Sequence, residues 1–170
     1  MNILFLFACS LSPQDAQTVL LSLYQPVLDI AKPCISNSEL DSEMEESLQL
    51  GSNWEGNLTA KGIREDYDSA QHYALTVSFE EVYVTTGDLT FNGSSALYME
   101  YSIDLTDSAS TTQKMTFSEE LKVSGDVSGT ATLNFTLIET YDAQTELYDV
   151  TVSGDISGTD VSTFLEGGTP

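Results

Sequence analysis

The stretch from residue 115 to residue 137, MTFSEELKVSGDVSGTATLNFTL, decides the fold class. With the single exception of Glu119, every second residue in it is apolar or glycine. These positions are Met115, Phe117, Leu121, Val123, Gly125, Val127, Gly129, Ala131, Leu133, Phe135 and Leu137. The other parity carries Ser, Thr, Asn and Asp between residues 124 and 136. Because strand side chains alternate between the two faces of a sheet, this pattern predicts antiparallel strands with one buried face and one wet face.

The same alternation continues on both sides of this stretch. Residues 97–105 repeat it, and between residues 73 and 91 its phase slips near Glu80-Glu81, which predicts a β-bulge or bend there. From about Leu48 to Leu165 the chain is rich in Thr, Val, Tyr and Phe, with turn signals at regular intervals. We therefore predict an all-β, up-and-down meander of about six to eight strands that curls into an open sheet or barrel.

An internal repeat marks the expected turns. VSGDVSGT at residues 123–130 recurs as VSGDISGT at residues 152–159, and TGDLT at residues 86–90 is a looser third copy. Glycine and aspartate favour turns, so two-residue hairpins are predicted at Asn92-Gly93, Ser128-Gly129 and Ser157-Gly158. The connections at the opposite edge are predicted over residues 106–112 and 142–145.

One helix is predicted before the sheet. Ser12 suits the N-cap, Pro13 the first helical position and Asp15 the first turn. Apolar residues then recur near helical spacing up to Lys32-Pro33, which is expected to end the helix. They are Val19, Leu20, Leu23, Val27, Leu28 and Ile30. We expect this helix to pack on the sheet, with a lid over an apolar cavity as the alternative.

Residues 36–47 are polar and acidic and predict a solvated linker. The first strand is then expected around Trp54 to Ile63. The charge of the whole chain is also acidic, since 27 Asp and Glu stand against 5 Lys and Arg, a net charge of -22. Such a surface repels phosphate backbones, so neither nucleic acid nor an anionic membrane held through a basic patch is an expected partner.

The amino terminus has the composition expected of a targeting signal. Residues 1–10 read MNILFLFACS, an apolar run too short to span a bilayer that ends in Leu6-Phe7-Ala8-Cys9. This resembles the lipobox of bacterial lipoproteins, which implies cleavage before Cys9, acylation of Cys9 and a lipid anchor at the outer membrane or cell surface. Residues 1–8 would be a partial signal segment, residues 9–46 the acylated N-terminus, helix and acidic linker, and residues 47–170 the β-meander domain. The alternative is that Cys9 packs on the sheet or pairs with Cys34.

No catalytic motif is visible in the chain. It has one histidine, His72, and neither a nucleophile elbow nor a phosphate loop. Adjacent acidic pairs such as Glu119-Glu120 point to opposite faces of a strand, so they do not form a glycosidase pair. We expect a non-catalytic protein without a cofactor.

Calcium is the only metal that the sequence suggests, through carboxylates near the repeated turns. Asp126 and Asp155 are the candidate ligands, with Asp88 and Asp160 nearby in similar settings. A turn-favouring aspartate that hydrogen-bonds its own backbone explains the same residues more simply.

Three functions stay open at this point. The first is a lipid-anchored envelope protein that binds an apolar molecule in its sheet, and the second is a structural or adhesive surface module with a packed core. The third and least favoured is a carboxylate-dependent enzyme acting on glycans. The first two differ in whether the apolar face of the sheet encloses empty volume.

Overall fold

The computed structural model of the chain describes residues 11–36, 43–67, 70–104, 110–143 and 145–165. One helix precedes a single antiparallel sheet of eight strands. The elements are α1 (Pro13–Ser36), β1 (Glu43–Leu50), β2 (Trp54–Tyr67), β3 (Ala70–Val84), β4 (Leu89–Asp104), β5 (Ser110–Gly125), β6 (Gly129–Asp142), β7 (Leu147–Ile156) and β8 (Thr159–Asp160).

The strands follow one another in chain order from β1 to β8, so the sheet is an up-and-down meander. Every neighbouring pair is antiparallel, and no pairing joins β1 to β8 in the described part of the chain. The sheet is therefore curled but open, which confirms the predicted fold class.

The inner face of the sheet and one side of α1 share one hydrophobic core. The alternation assigned from sequence holds in β5 and β7, because Val123 and Val152 are buried while Ser124 and Ser153 are exposed. At the centre of the inner face, the rings of Phe117 and Phe135 stack with centroids 4.6 Å apart. The parity of the side chains thus predicted correctly which face of each strand packs.

The start of α1 is capped as predicted. The amide of Asp15 donates a hydrogen bond of 3.1 Å to the Ser12 hydroxyl, which in turn donates to the Asp15 carboxylate at 2.7 Å. The predicted end was wrong, since the helix runs past Lys32-Pro33 to Ser36. Proline removes only one backbone donor in the last turn, and burial of Ala31 and Cys34 against the sheet favours continuation.

The predicted linker over residues 36–47 was wrong in its last part, because β1 begins at Glu43. This strand is an edge strand, paired on one side only, with Met44 buried and Glu45 exposed. An edge strand needs few apolar residues, and its acidic composition hid it in the sequence. Trp54–Tyr67 is consequently the second strand and not the first.

Two of the three predicted hairpins lie elsewhere. Ser157-Gly158 joins β7 to β8 as expected, with φ of 51° and 78° that suit a type I′ turn. In contrast, β5 and β6 are joined by residues 126–128, with Gly129 already in β6, and β3 and β4 by residues 85–88. At the opposite edge, residues 143–146 connect β6 to β7, while residues 105–109 lie outside the described part.

Asn92-Gly93 has a different role from the predicted turn. It lies inside β4, opposite the β-bulge at Glu80-Glu81 that the phase slip predicted. Glu81 has φ of 51°, and its amide donates a hydrogen bond of 2.9 Å to the Asn92 side chain. Asn92 therefore satisfies a backbone donor that the bulge frees from the strand ladder.

Candidate functional site

The helix α1 packs on the inner face of the sheet. Leu20, Leu23 and Val27 of the helix pack against Met115 and Leu137 of the sheet, and the space left between them is about 10 Å³. Such a gap holds at most about one water molecule. In the described part of the chain, this region of the inner face is packed protein and not a ligand cavity.

Polar contacts fix the helix to the sheet at its edges. The Ser22 hydroxyl donates to the carbonyl of Thr86 at 2.6 Å, and the indole of Trp54 donates to the Asp29 carboxylate at 2.9 Å. Trp54 and Ser22 are both buried. Each contact satisfies a buried polar group, so together they fix where α1 lies on the sheet.

A buried carboxylate forms the most unusual polar cluster of the inner face. Glu139 on β6 is only 5% exposed, and the Tyr24 hydroxyl of α1 donates a hydrogen bond to it. Tyr148 on β7 lies close enough to both Glu139 and Tyr24 to interact with them electrostatically. We call these three residues the tyrosine–glutamate cluster.

Both tyrosines of this cluster resist ionisation. Burial, followed by the hydrogen bond and the charge of Glu139, raises the pKa of Tyr24 well above its ordinary value. Burial and the Glu139 charge also raise the pKa of Tyr148 to about 12. The two hydroxyls therefore stay protonated further into the alkaline range than an ordinary tyrosine does, and a protonated hydroxyl is the donor that a buried carboxylate requires.

The signal for Glu139 in the sequence is its place in the alternation and not a motif. Residues 133, 135 and 137 of β6 face the core, and the next residue of that parity is Glu139. A charged side chain on the buried parity predicts a partner across the core. The identity of that partner, Tyr24, depends on how the helix lies and is not readable from periodicity.

A surface groove of about 310 Å³ opens where α1 begins. Its floor is formed by Val123, Val127 and Ala131, and Leu11 and Asp15 line the helix side. The backbone of Leu11 is held there by the Thr159 hydroxyl at 2.5 Å. The groove is thus a mixed polar and apolar recess beside the point where the described chain starts.

The two calcium candidates lie near different hairpins and in different environments, and Asp155 is the penultimate residue of β7. Asp155 accepts hydrogen bonds from the Gly158 amide and the Asn134 side chain, both at 2.9 Å. Asp126 lies exposed in the hairpin after β5. Among the described residues, no three acidic, histidine or cysteine side chains group closely enough to hold a metal ion.

The similar carboxylates Asp88 and Asp160 also make local contacts. Asp88 accepts from the Tyr83 hydroxyl at 2.9 Å, and Asp160 accepts from the Ser162 amide at 2.9 Å. The hydrogen bonds to Ser162 lower the pKa of Asp160. Turn chemistry accounts for the contacts of Asp155 and Asp160.

Of the two cysteines, the structure describes only Cys34. Cys9, the predicted acylation site, lies outside the described residues. Cys34 is a free thiol with no exposed surface, and burial together with the Glu46 charge raises its pKa to about 11. A protonated buried thiol is a poor nucleophile, so Cys34 is a packing residue.

His72 lies on the outer face of the sheet, as its parity predicted. Its Nδ1 atom is 2.6 Å from the hydroxyl of Tyr98 on the neighbouring strand, and the two rings are tilted by 43°. The contact fixes the position of an exposed aromatic ring.

Comparison with known proteins gives no relative: no family model, no curated protein and no solved structure matches this chain. In the described part of the chain, no helix combines the length and the apolar character needed to cross a bilayer.

Proposed function

We propose that the chain is a non-catalytic, lipid-anchored protein of the bacterial cell envelope that acts as a packed module and presents its outer face to a partner. The observation that carries this proposal is the packing of α1 on the centre of the inner face, where only about 10 Å³ is left between Leu20, Leu23 and Val27 of the helix and the sheet. A carrier of apolar molecules needs a cavity of several hundred Å³. The packed module is therefore favoured over the carrier.

The anchor is supported by sequence and position together. Leu6-Phe7-Ala8-Cys9 resembles a lipobox, and Cys9 is two residues from Leu11, at most about 7 Å along an extended chain. Leu11 is fixed to the β7–β8 end of the sheet through Thr159. A lipid on Cys9 would hold that end towards the membrane and leave most of the outer face accessible.

Incorporation of labelled palmitate in a bacterial host tests the anchor. We expect label in the wild-type chain, none in Cys9→Ser, and wild-type labelling in Cys34→Ala, which removes the other cysteine. Membrane fractionation should follow the label. Labelling that survives Cys9→Ser, or a wild-type chain that takes up none, would overturn the anchor.

A carrier of apolar ligands is the second candidate, favoured by the groove of about 310 Å³ beside Leu11. Native mass spectrometry of protein extracted gently from membranes separates the two functions. The packed module predicts the mass of the acylated chain alone. A reproducible non-covalent apolar adduct would support the carrier instead.

A further inference from the structure

The outer face of the sheet contains a continuous strip without charged side chains. Across β3 to β7, five directly paired residues form one row: Ala74, Tyr98, Thr116, Thr136 and Ser153. A second row, directly beside it, runs through Thr76, Ala96, Ser118 and Asn134. We call these nine residues the neutral strip; neighbouring strands are about 4.8 Å apart, so it is about 19 Å long.

The strip stands out because the chain around it is so acidic. Charged residues such as Lys61, Glu100 and Lys114 border it, and the net charge of the chain is -22. Members of the strip are exposed or half-buried, so they are available to a partner. One end is apolar and aromatic, and the other consists of hydroxyl and amide groups.

Tyr98 is held in a fixed position at the apolar end. It is 41% exposed, and its hydroxyl lies 2.6 Å from Nδ1 of His72, on the adjacent strand. The two rings contact each other across the strands, with centroids 6.0 Å apart. The neighbours of Tyr98, Ala74 and Ala96, are small and leave the ring accessible, so little rotamer entropy remains to be lost on binding.

From these observations we infer that the neutral strip binds an uncharged glycan, with Tyr98 as its stacking platform. The C–H face of a sugar ring packs on an aromatic ring, while its hydroxyls pair with exposed hydroxyl groups such as those of Ser118 and Ser153. The acidic surface repels anionic polymers. The nine residues carry no carboxylate, and the nearest one, Asp155 beside Asn134, already accepts two hydrogen bonds. This inference rests on the proposed function, because it names the partner of the outer face.

Affinity electrophoresis of the full chain carrying Cys9→Ser tests the inference without any lipid. The gels contain neutral polysaccharides (a β-glucan, a mannan or a galactan) or, for comparison, the anionic polymers alginate and polygalacturonate. We expect retardation by at least one neutral polymer and by neither anionic one. Tyr98→Ala should weaken binding about tenfold or more, and Tyr98→Phe, which keeps the ring, much less.

Tyr141→Ala is the matched control, because Tyr141 is 38% exposed but belongs to the inner-face parity. It should bind like the parent chain, and thermal melts should show that all three variants fold. Lack of retardation by every neutral polymer, or unchanged binding by Tyr98→Ala, would overturn the inference. So would sedimentation showing that the strip joins two copies of the chain, with the dimer lost in Tyr98→Ala. Palmitate labelling does not depend on any of these results, so the proposed anchor and the proposed glycan site can be contradicted independently of each other.

Discussion

The hydroxyl of Tyr24 on α1 donates a hydrogen bond to the buried carboxylate of Glu139 on β6, across 115 residues of sequence. Glu139 is 5% exposed, and Tyr148 of β7 lies beside both residues. A buried carboxylate without donors would cost several kcal/mol. The sheet therefore needs the helix to satisfy the hydrogen bonding of Glu139, and removal of α1 would take away the Tyr24 donor.

Tyr24→Phe should destabilise the protein by about 1–3 kcal/mol, because it removes one donor from a buried charge while keeping the ring. The urea midpoint of unfolding measures this effect. Tyr141→Phe is the control, since Tyr141 is exposed, and it should change stability by less than about 0.5 kcal/mol. Equal midpoints for the two variants would mean that the hydrogen bond contributes nothing to stability.

Stability should decrease at alkaline pH because of the same cluster. The pKa values of Tyr24 and Tyr148 are raised in the folded state above the ordinary tyrosine value of 10.0. The folded protein then holds protons that the unfolded chain releases, so their contribution is complete below pH 10 and is lost as pH rises through the folded pKa values. For Tyr148 that loss extends to about pH 12.

Chemical denaturation at a series of pH values from 8 upwards measures this loss. A variant with both Tyr24→Phe and Tyr148→Phe should show a shallower decrease of the unfolding free energy above pH 10 than the wild type. Cys34 is unchanged in both proteins, so its own titration cancels in the comparison. Identical slopes in the two proteins would contradict the assignment of these tyrosines.

Exchanging one residue on each face of β7 tests the register. Val152→Asp buries an unpaired charge and should destabilise the fold by several kcal/mol, whereas Ser153→Asp faces solvent and should change stability by about 0.5 kcal/mol or less. Thermal melts at matched salt measure both effects. Similar decreases in melting temperature would mean that the faces of β7 are assigned wrongly.

The sheet could be predicted from sequence because the relevant signal is local. Strict alternation along residues 115–137 fixed the faces of β5 and β6, and the phase slip located the bulge at Glu80-Glu81. The turn residues could be predicted less well, because glycine also occurs inside strands where the backbone has a positive φ. Gly93 in β4 and Gly129 in β6 have φ of 120° and 144°. The glycine-containing repeats therefore indicate that a turn is near, but not which residues form it.

The sites could be predicted less well than the fold, because they depend on how separate elements meet. Periodicity places Glu139 on the inner face, but only the path of α1 brings Tyr24 to it. The neutral strip likewise depends on register, since Ala74, Tyr98 and Thr116 are neighbours only through pairing of β3, β4 and β5. β1 was not predicted, because the composition of an acidic edge strand is similar to that of a linker.

The repeated Gly-Asp turns should bind no calcium, and this prediction concerns Asp126 and Asp155. Both oxygens of Asp155 already accept hydrogen bonds of 2.9 Å, one from the Gly158 amide that closes the turn and one from Asn134. A calcium ligand would have to give up these contacts. Asp155→Asn keeps the size of the side chain and one acceptor, so it should change stability by about 1 kcal/mol or less.

Thermal melts in EDTA and in millimolar CaCl₂ or MgCl₂, at matched ionic strength, test this directly. A chain of net charge -22 responds to any salt, so matched calcium and magnesium should give the same small effect. A calcium site would instead stabilise the fold by about 2.7 kcal/mol at a hundredfold excess over Kd. A calcium-specific rise in melting temperature that disappears in the Asp126→Asn, Asp155→Asn double variant would make these turns a metal site, because magnesium controls for charge screening and the asparagines preserve the turn.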